Sequence, residues 1–163
     1  QDASGCCMSE KEATGARLLS LLTDMAIITQ LMSAASSRAI GHALGQSEYW
    51  LLFHMVRRGD GDTPSRLAKI FQVSKPSMTA TIGRLIAKGC VRVVEDANDA
   101  RSKRVMLTDV GRTAHDAARA RLEIMQQQLF AGFNVAGLLT HADDITALRQ
   151  HLDAQRNVGD GLA

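Results

Sequence analysis

A mainly α (α+β) fold is what this sequence predicts: a winged helix-turn-helix with N- and C-terminal helices forming a dimerisation region. Three observations predict it. Residues 63–108 read as two short helices around a tight turn, followed by a valine-rich hairpin. Both ends of the chain carry apolar stripes at helical spacing. The positive charge is gathered between them: Arg57 to Arg104 holds eleven Lys/Arg against five Asp/Glu, while the remainder holds eight against twelve. The whole 163-residue chain carries only +2, so it is the distribution that suits phosphate as a partner.

The central stretch justifies the motif residue by residue. Thr63 is an N-cap candidate, and Pro64 takes the first helical position, where its missing N–H costs nothing. Leu67, Ala68 and Phe71 then share one face. Gln72-Val73 breaks the run, and Ser74 restarts it as a second N-cap ahead of Lys75-Pro76. In this second helix Met78, Ile82, Leu85 and Ile86 form the apolar stripe, which leaves Lys75, Ser77, Thr79, Ala80 and Gly83 outward. Short side chains and hydroxyls let a helix approach a surface closely, and its N-terminal N–H groups favour a phosphate. A recognition helix in the major groove fits that face; an ordinary surface helix of a bundle is the plainer alternative.

Gly89 is placed to end the helix. Residues 90–94 read as a strand, 95–100 as a polar turn, and Arg101-Ser102-Lys103-Arg104 leads back into Val105-Met106-Leu107. Such a basic hairpin can reach backbone or minor groove, where negative potential attracts arginine. Candidate DNA-binding residues are therefore Ser74, Lys75, Ser77, Thr79 and Arg84 on the helix, and Asp99, Arg101, Lys103 and Arg104 on the wing. Ser77 and Thr79 are expected nearest the bases. Asp99 is expected to orient the Arg101 guanidinium near the hairpin tip, and Lys103 and Arg104 to meet phosphates.

The run from Asp99 to Arg112 resembles the wing signature of the MarR (multiple antibiotic resistance regulator) family, D-x-R-x-x-x-V-x-L-T-x-x-G-R. Leu67-Ala68, Ser74, Thr79, Arg84-Leu85 and Lys88-Gly89 also fall where that family's pattern expects them, and the likeness extends over roughly residues 14–155. Ala80 departs from it, standing where many members carry arginine, so direct base readout is expected to be sparse. The resemblance implies a dimeric repressor of a palindromic operator. It also implies release when a small, often aromatic and anionic compound binds between the dimerisation and DNA-binding parts.

Outside the motif the chain divides into a loosely ordered segment 1–12, a dimerisation helix within 13–45, the winged region 46–108 and C-terminal helices within 109–158. The first helix is expected from Thr14 to Ile40, with Leu18, Leu22, Met25, Ile28 and Met32 on one face; the next from Gln46 to Arg58. Thr108 is expected to cap a helix to about Leu129, with Val110, Ala114, Ala117, Leu122, Met125 and Leu129 in helical register. A break at 130–139 follows, then a last helix behind a capping arrangement at Thr140–Asp143. These flanking apolar helices exceed what a small winged domain can cover, so a homodimer is expected. No apolar run approaches a membrane span and the N-terminus lacks a signal-peptide pattern, which makes a cytoplasmic protein the expectation.

Other chemistry finds little support. Gly45-Gln46-Ser47-Glu48-Tyr49 fails the nucleophile-elbow pattern, and the five histidines match no metal spacing, so neither an enzyme nor a cofactor or metal site is expected. His42, Tyr49, Trp50 and His54 concentrate near the helix that should line an effector site, although Trp50 and Phe53 also fit a core. A redox alternative rests on Cys6 and Cys7, because some members of the family sense through an N-terminal cysteine; Cys90 reads as a small buried hydrophobe. A winged helix that binds protein is the third reading, and the basic hairpin weighs against it.

Overall fold

The structure is a computed structural model that describes the backbone of residues 10–96 and 99–159 and the side chains of residues 12–96 and 102–155. Seven helices and two strands follow in order among these residues: α1 (Glu10–Ile40), α2 (Gln46–Arg58), α3 (Pro64–Phe71), α4 (Lys75–Ala87), β1 (Val91–Asp96), β2 (Asp99–Leu107), α5 (Asp109–Leu129), α6 (Val135–Leu139) and α7 (Ala142–Gly159). They fall into two units, Gln1–Met125 and Gln126–Ala163, with α5 running from the first into the second.

In the first unit the expected caps form. Thr63 Oγ1 accepts from the Arg66 N–H at 3.2 Å, and Ser74 Oγ accepts from Ser77 N–H at 3.2 Å. Helix α3 ends at Gln72, whose φ of 56° is left-handed. Helix α4 ends in a Schellman motif: Gly89 (φ 69°) donates to Ile86 O at 2.8 Å and Cys90 to Leu85 O at 2.9 Å. β1 and β2 pair antiparallel, from Val91 opposite Leu107 to Glu95 opposite Lys103, with an irregularity before Asp96. The α2–α3 loop adds a rudimentary third strand on the other edge of β2, because Gly61 N–H donates to Val105 O at 2.8 Å and Val105 N–H to Asp62 O at 3.1 Å.

The core gathers Ile40 and Leu44 with Leu51, Leu52 and Met55 of α2, Leu67 and Ala68 of α3, Met78, Ile82 and Leu85 of α4, the wing residues Val91, Val105 and Leu107, and Ala118 and Leu122 of α5. Two expected faces shift. Ile86 is exposed, and Thr81 is buried in its place with its hydroxyl donating to Ser77 O at 3.1 Å. On α5 the buried line is Gly111, His115, Ala118 and Leu122, while Val110 is exposed and Ala114 only half-buried. His115 fits because its ring stacks on Tyr49, centroids 5.7 Å apart.

Helix α1 corrects two expectations. It begins at Glu10, within the segment expected to be loose. From Glu12 to Ile40 it is long and apolar enough to cross a membrane by length and composition. The reading of uninterrupted runs missed this because the interrupting residues are cheap: the Thr23 and Thr29 hydroxyls donate to the carbonyls of Leu19 and Met25, four residues back. Only its C-terminal end packs on the core, through Ala35 and Ile40. There Arg121 of α5 donates to the Ala39 and Ile40 carbonyls at 3.1 and 3.0 Å, satisfying two of the carbonyls a helix end leaves open. Leu18, Leu19, Leu21, Leu22, Ile27, Ile28 and Leu31 remain exposed.

In the second unit, α6 forms inside the stretch expected to be a break. Asn134 caps it, with Oδ1 accepting from Gly137 N–H at 2.9 Å. Thr140 does not cap α7 as expected; its hydroxyl turns back to donate to Gly137 O at 2.7 Å. Leu138, Leu139, Ile145 and Leu152 are exposed within this unit.

Candidate nucleic-acid interface

The outward face of α4 stands as the helical period requires. Ser74, Lys75, Ser77, Thr79, Ala80 and Gly83 are all exposed, and neither α3 nor α4 has an acidic residue in its first turn. The positive N-terminal end of α4 is thus left uncompensated by its own sequence, whereas α2 has Glu48 and α5 has Asp109 at that place. Ser74 and Ser77 lie Oγ to Oγ at 2.8 Å, and Thr79 donates to Lys75 O at 2.9 Å. Each hydroxyl keeps acceptor capacity toward an approaching donor. On the wing, Lys103 is exposed on β2 and Arg92, which the sequence reading passed over, is exposed on β1. Its signal was its position in the strand alternation opposite Met106. The last pairing toward the tip of the hairpin is Asp96 with Asp99. The side chains of Asp99 and Arg101, and with them the expected orienting contact, lie outside the described residues.

Two of the expected DNA contacts already have partners within the chain. Arg104 donates to Asp96 Oδ2 at 2.7 Å and to Gly61 O at 3.0 Å. It ties the wing to the α2–α3 loop, where Asp60 also accepts from the Leu107 N–H at 2.9 Å. Arg84 donates through Nε to Glu48 Oε1 at 2.9 Å, and Lys88 reaches Oε2 of the same carboxylate at 2.5 Å. The Glu48 side chain is only 2% exposed. Burial alone would push its pKa up; the hydrogen bonds from Lys88, the Gly45 N–H and Arg84 outweigh that and hold it below the ordinary glutamate range. Sequence counts cations but does not show that these two already have partners.

The candidate effector residues separate. Tyr49 is buried, wedged between Trp50 and the stacked His115 ring, so it belongs to the core. His42 is exposed in the α1–α2 loop and does not line the large cavity. Trp50 is 43% exposed, against the reading of it as core, and with His54 it lines an open groove of about 900 Å³. That groove lies between α2, α3 and α4, within the winged region and not between it and the helices expected to dimerise. Phe53, Phe71 and Met78 give it apolar walls; Arg57 and Arg58 give it positive charge, and the paired Arg84 borders it. Met78 is buried in the core, as its face requires, and Phe71 is half-buried against it; both also border the groove.

Cys90 is buried, its thiol pushed up by burial, which makes a reactive thiolate scarce there. Cys6 and Cys7 lie outside the described residues. Among the described residues no cluster of three or more His, Cys, Asp or Glu could hold a metal ion.

Comparison with known proteins bears on the same elements. The MarR family model matches residues 44–102. The transcriptional activatory protein BadR of Rhodopseudomonas palustris is 26% identical over 137 residues, covering 82% of this chain and 77% of that protein. The crystal structure of MarR superposes with a TM-score of 0.72 at 21% identity, over 84% of this chain and 93% of that one. CouR from Rhodococcus jostii RHA1, solved bound to p-coumaroyl-CoA, superposes with a TM-score of 0.64 at 19% identity, over 76% of this chain and 87% of that one. The matched segment runs from the α1–α2 loop into the wing, so residues 44–102 are similar to the MarR family, whose members are transcription regulators, and the fold around them is that family's winged helix.

Proposed function

We propose that this regulator binds double-stranded DNA as a homodimer, at an imperfect palindrome with half-sites about one helical turn apart, and leaves it when a small aromatic anion binds. The observation that carries the DNA reading is the α4 face: small and hydroxyl side chains from Ser74 to Gly83, no acid in the first turn, and a basic wing beside it. Lys75 and Lys103 would meet phosphates, Ser77 and Thr79 the base edges, and Ala80 a thymine methyl. Selection from a random duplex pool followed by gel shift tests this. A palindromic consensus is expected, and no enrichment would end the reading. Arg101→Ala should weaken binding about tenfold across sequences with the fold intact, as loss of one wing contact of 1–3 kcal/mol implies. An unchanged gel shift would remove the wing from the interface.

The dimer is supported by the exposed apolar residues of α1 and, separately, by those of α6 and α7. A second copy is the economical cover for both.

The effector reading rests on the groove, whose size falls in the range that suits a drug-sized ligand. Trp50, Phe53 and Phe71 offer faces to an aromatic ring, and Arg57 and Arg58 a charge to its carboxylate. Ser77, Ala80 and Thr81 of α4 line the same groove, so a ligand there touches the recognition helix directly. To act by population shift it must bind one placement of that helix more tightly than the other. Trp50 is the only tryptophan, so titration with aromatic acids should quench its fluorescence and release DNA over one concentration range. Quenching without release would mean binding that does not regulate. BadR is named an activatory protein, so release is best read on DNA itself, independent of whether transcription rises or falls. Loss of DNA binding to peroxide in wild type but not in Cys6→Ser/Cys7→Ser would favour the redox reading instead.

A further inference from the structure

The recognition helix and its C-cap carry three cations, Lys75, Arg84 and Lys88. Two of them converge on one carboxylate. Glu48 Oε1 takes the Arg84 Nε–H, and Oε2 takes the Lys88 ammonium and the Gly45 N–H at 2.7 Å. Arg84 is fixed further by its Nη2, which donates to Thr81 Oγ1 at 3.1 Å. Yet the two cations are not hidden: their side chains are 51% and 36% exposed, while that of Glu48 is 2% exposed. Held in this way they lend the C-terminal end of α4 little free charge. Released, they would sit on flexible stems beside a duplex, able to meet any phosphate.

That matters because sequence-independent affinity grows with the number of phosphates neutralised, whereas discrimination comes from base edges. A helix whose outward face offers only short side chains has modest direct readout, so its discrimination is easily swamped by added non-specific charge. We propose that Glu48 is a specificity-determining positioning residue: it holds Arg84 and Lys88 against α2, away from the phosphate backbone, and sets how α4 lies on its scaffold. The inference rests on the DNA reading above. A carboxylate placed only for stability would show itself differently, because its loss would weaken binding to every sequence alike.

The test compares wild type, Glu48→Gln and Lys88→Met on two duplexes of equal length, one enriched from a random pool by wild type and one scrambled. Affinity is followed over a salt series, with thermal unfolding as the check on folding. Glu48→Gln should bind the scrambled duplex about tenfold more tightly near 100 mM salt, with a log–log salt slope steeper by about one to two, one per phosphate gained. It should bind the enriched duplex no more tightly, so the specificity ratio falls about tenfold. Lys88→Met should leave the wild-type slope within about half a unit, because the lysine it removes meets no phosphate. An unchanged ratio in Glu48→Gln, or equal weakening on both duplexes, would overturn the proposal. So would a slope shallower by about one in Lys88→Met, and that variant decides the matter if Glu48→Gln does not fold. Wild type that enriches no sequence would instead remove the DNA reading, and this inference with it.

Discussion

Gly111→Ala should cost about 3 kcal/mol or more of folding stability, at or beyond the upper end of overpacking penalties. A Cβ at this position would lie 2.1 Å from the Cys90 carbonyl oxygen, 3.0 Å from its carbon and 2.8 Å from Leu107 Cδ1. Leucine can change rotamer, but the carbonyl cannot move cheaply. It accepts from Thr108 N–H at 3.1 Å, and the Thr108 hydroxyl lies 2.9 Å from it and 2.7 Å from Gly89 O. The same hydroxyl accepts from Gly111 N–H at 3.1 Å. Threonine and glycine therefore seat the first turn of α5 directly on the backbone where α4 passes into β1. A methyl group between them pushes α5 off the wing. Gly83 provides the contrast, since a Cβ there meets nothing within 4 Å. Gly83→Ala should stabilise by roughly 0.5–1 kcal/mol through helix propensity alone. Chemical denaturation of the two variants reads both; a Gly111→Ala midpoint equal to wild type would mean that α5 is not seated as described.

That glycine marks where the sequence was legible and where it was not. Its place in the D-x-R-x-x-x-V-x-L-T-x-x-G-R pattern was readable, but the pattern does not say why a side chain is refused; the approach of a backbone 21 residues away in sequence does. Local chemistry was read well for the same reason that it is local. Thr63, Ser74 and Gly89 cap what they should because each bond spans only a few residues. The partners of the cations were not legible because they are distant. Arg84 meets a carboxylate 36 residues upstream, and Arg104 a carbonyl 43 residues upstream. Counting charge offers both to DNA and does not show that each already has a partner on the scaffold. Burial was misread where two neighbouring faces of one helix compete. On α2 the neighbours Tyr49 and Trp50 differ by about 100° around the helix, and Tyr49 is the one that goes inside, stacked on the distant His115.

Leu21→Glu/Ile28→Glu should convert the protein from dimer to monomer at micromolar concentration, with loss of operator binding. The two positions lie seven residues apart, on one face of α1, and are 53% and 57% exposed. Neither packs on the core of the chain, so charge there costs the isolated fold little. Buried between two copies, each apolar side chain would contribute about 1.5–3 kcal/mol, and an unpaired carboxylate in its place costs more again. Because every substitution appears twice in a two-fold interface, a rise in dimer dissociation constant of at least about 1,000-fold is a conservative expectation, equivalent to about 4 kcal/mol. Operator affinity should then fall by at least about 100-fold, since linked half-sites lose their effective concentration. Circular dichroism should show helix content near that of wild type. Light scattering without detergent checks the association directly. A wild type that is monomeric under these conditions would remove the dimer. One that stays in solution only with detergent would assign the Glu12–Ile40 surface to a membrane, which its length and composition also allow.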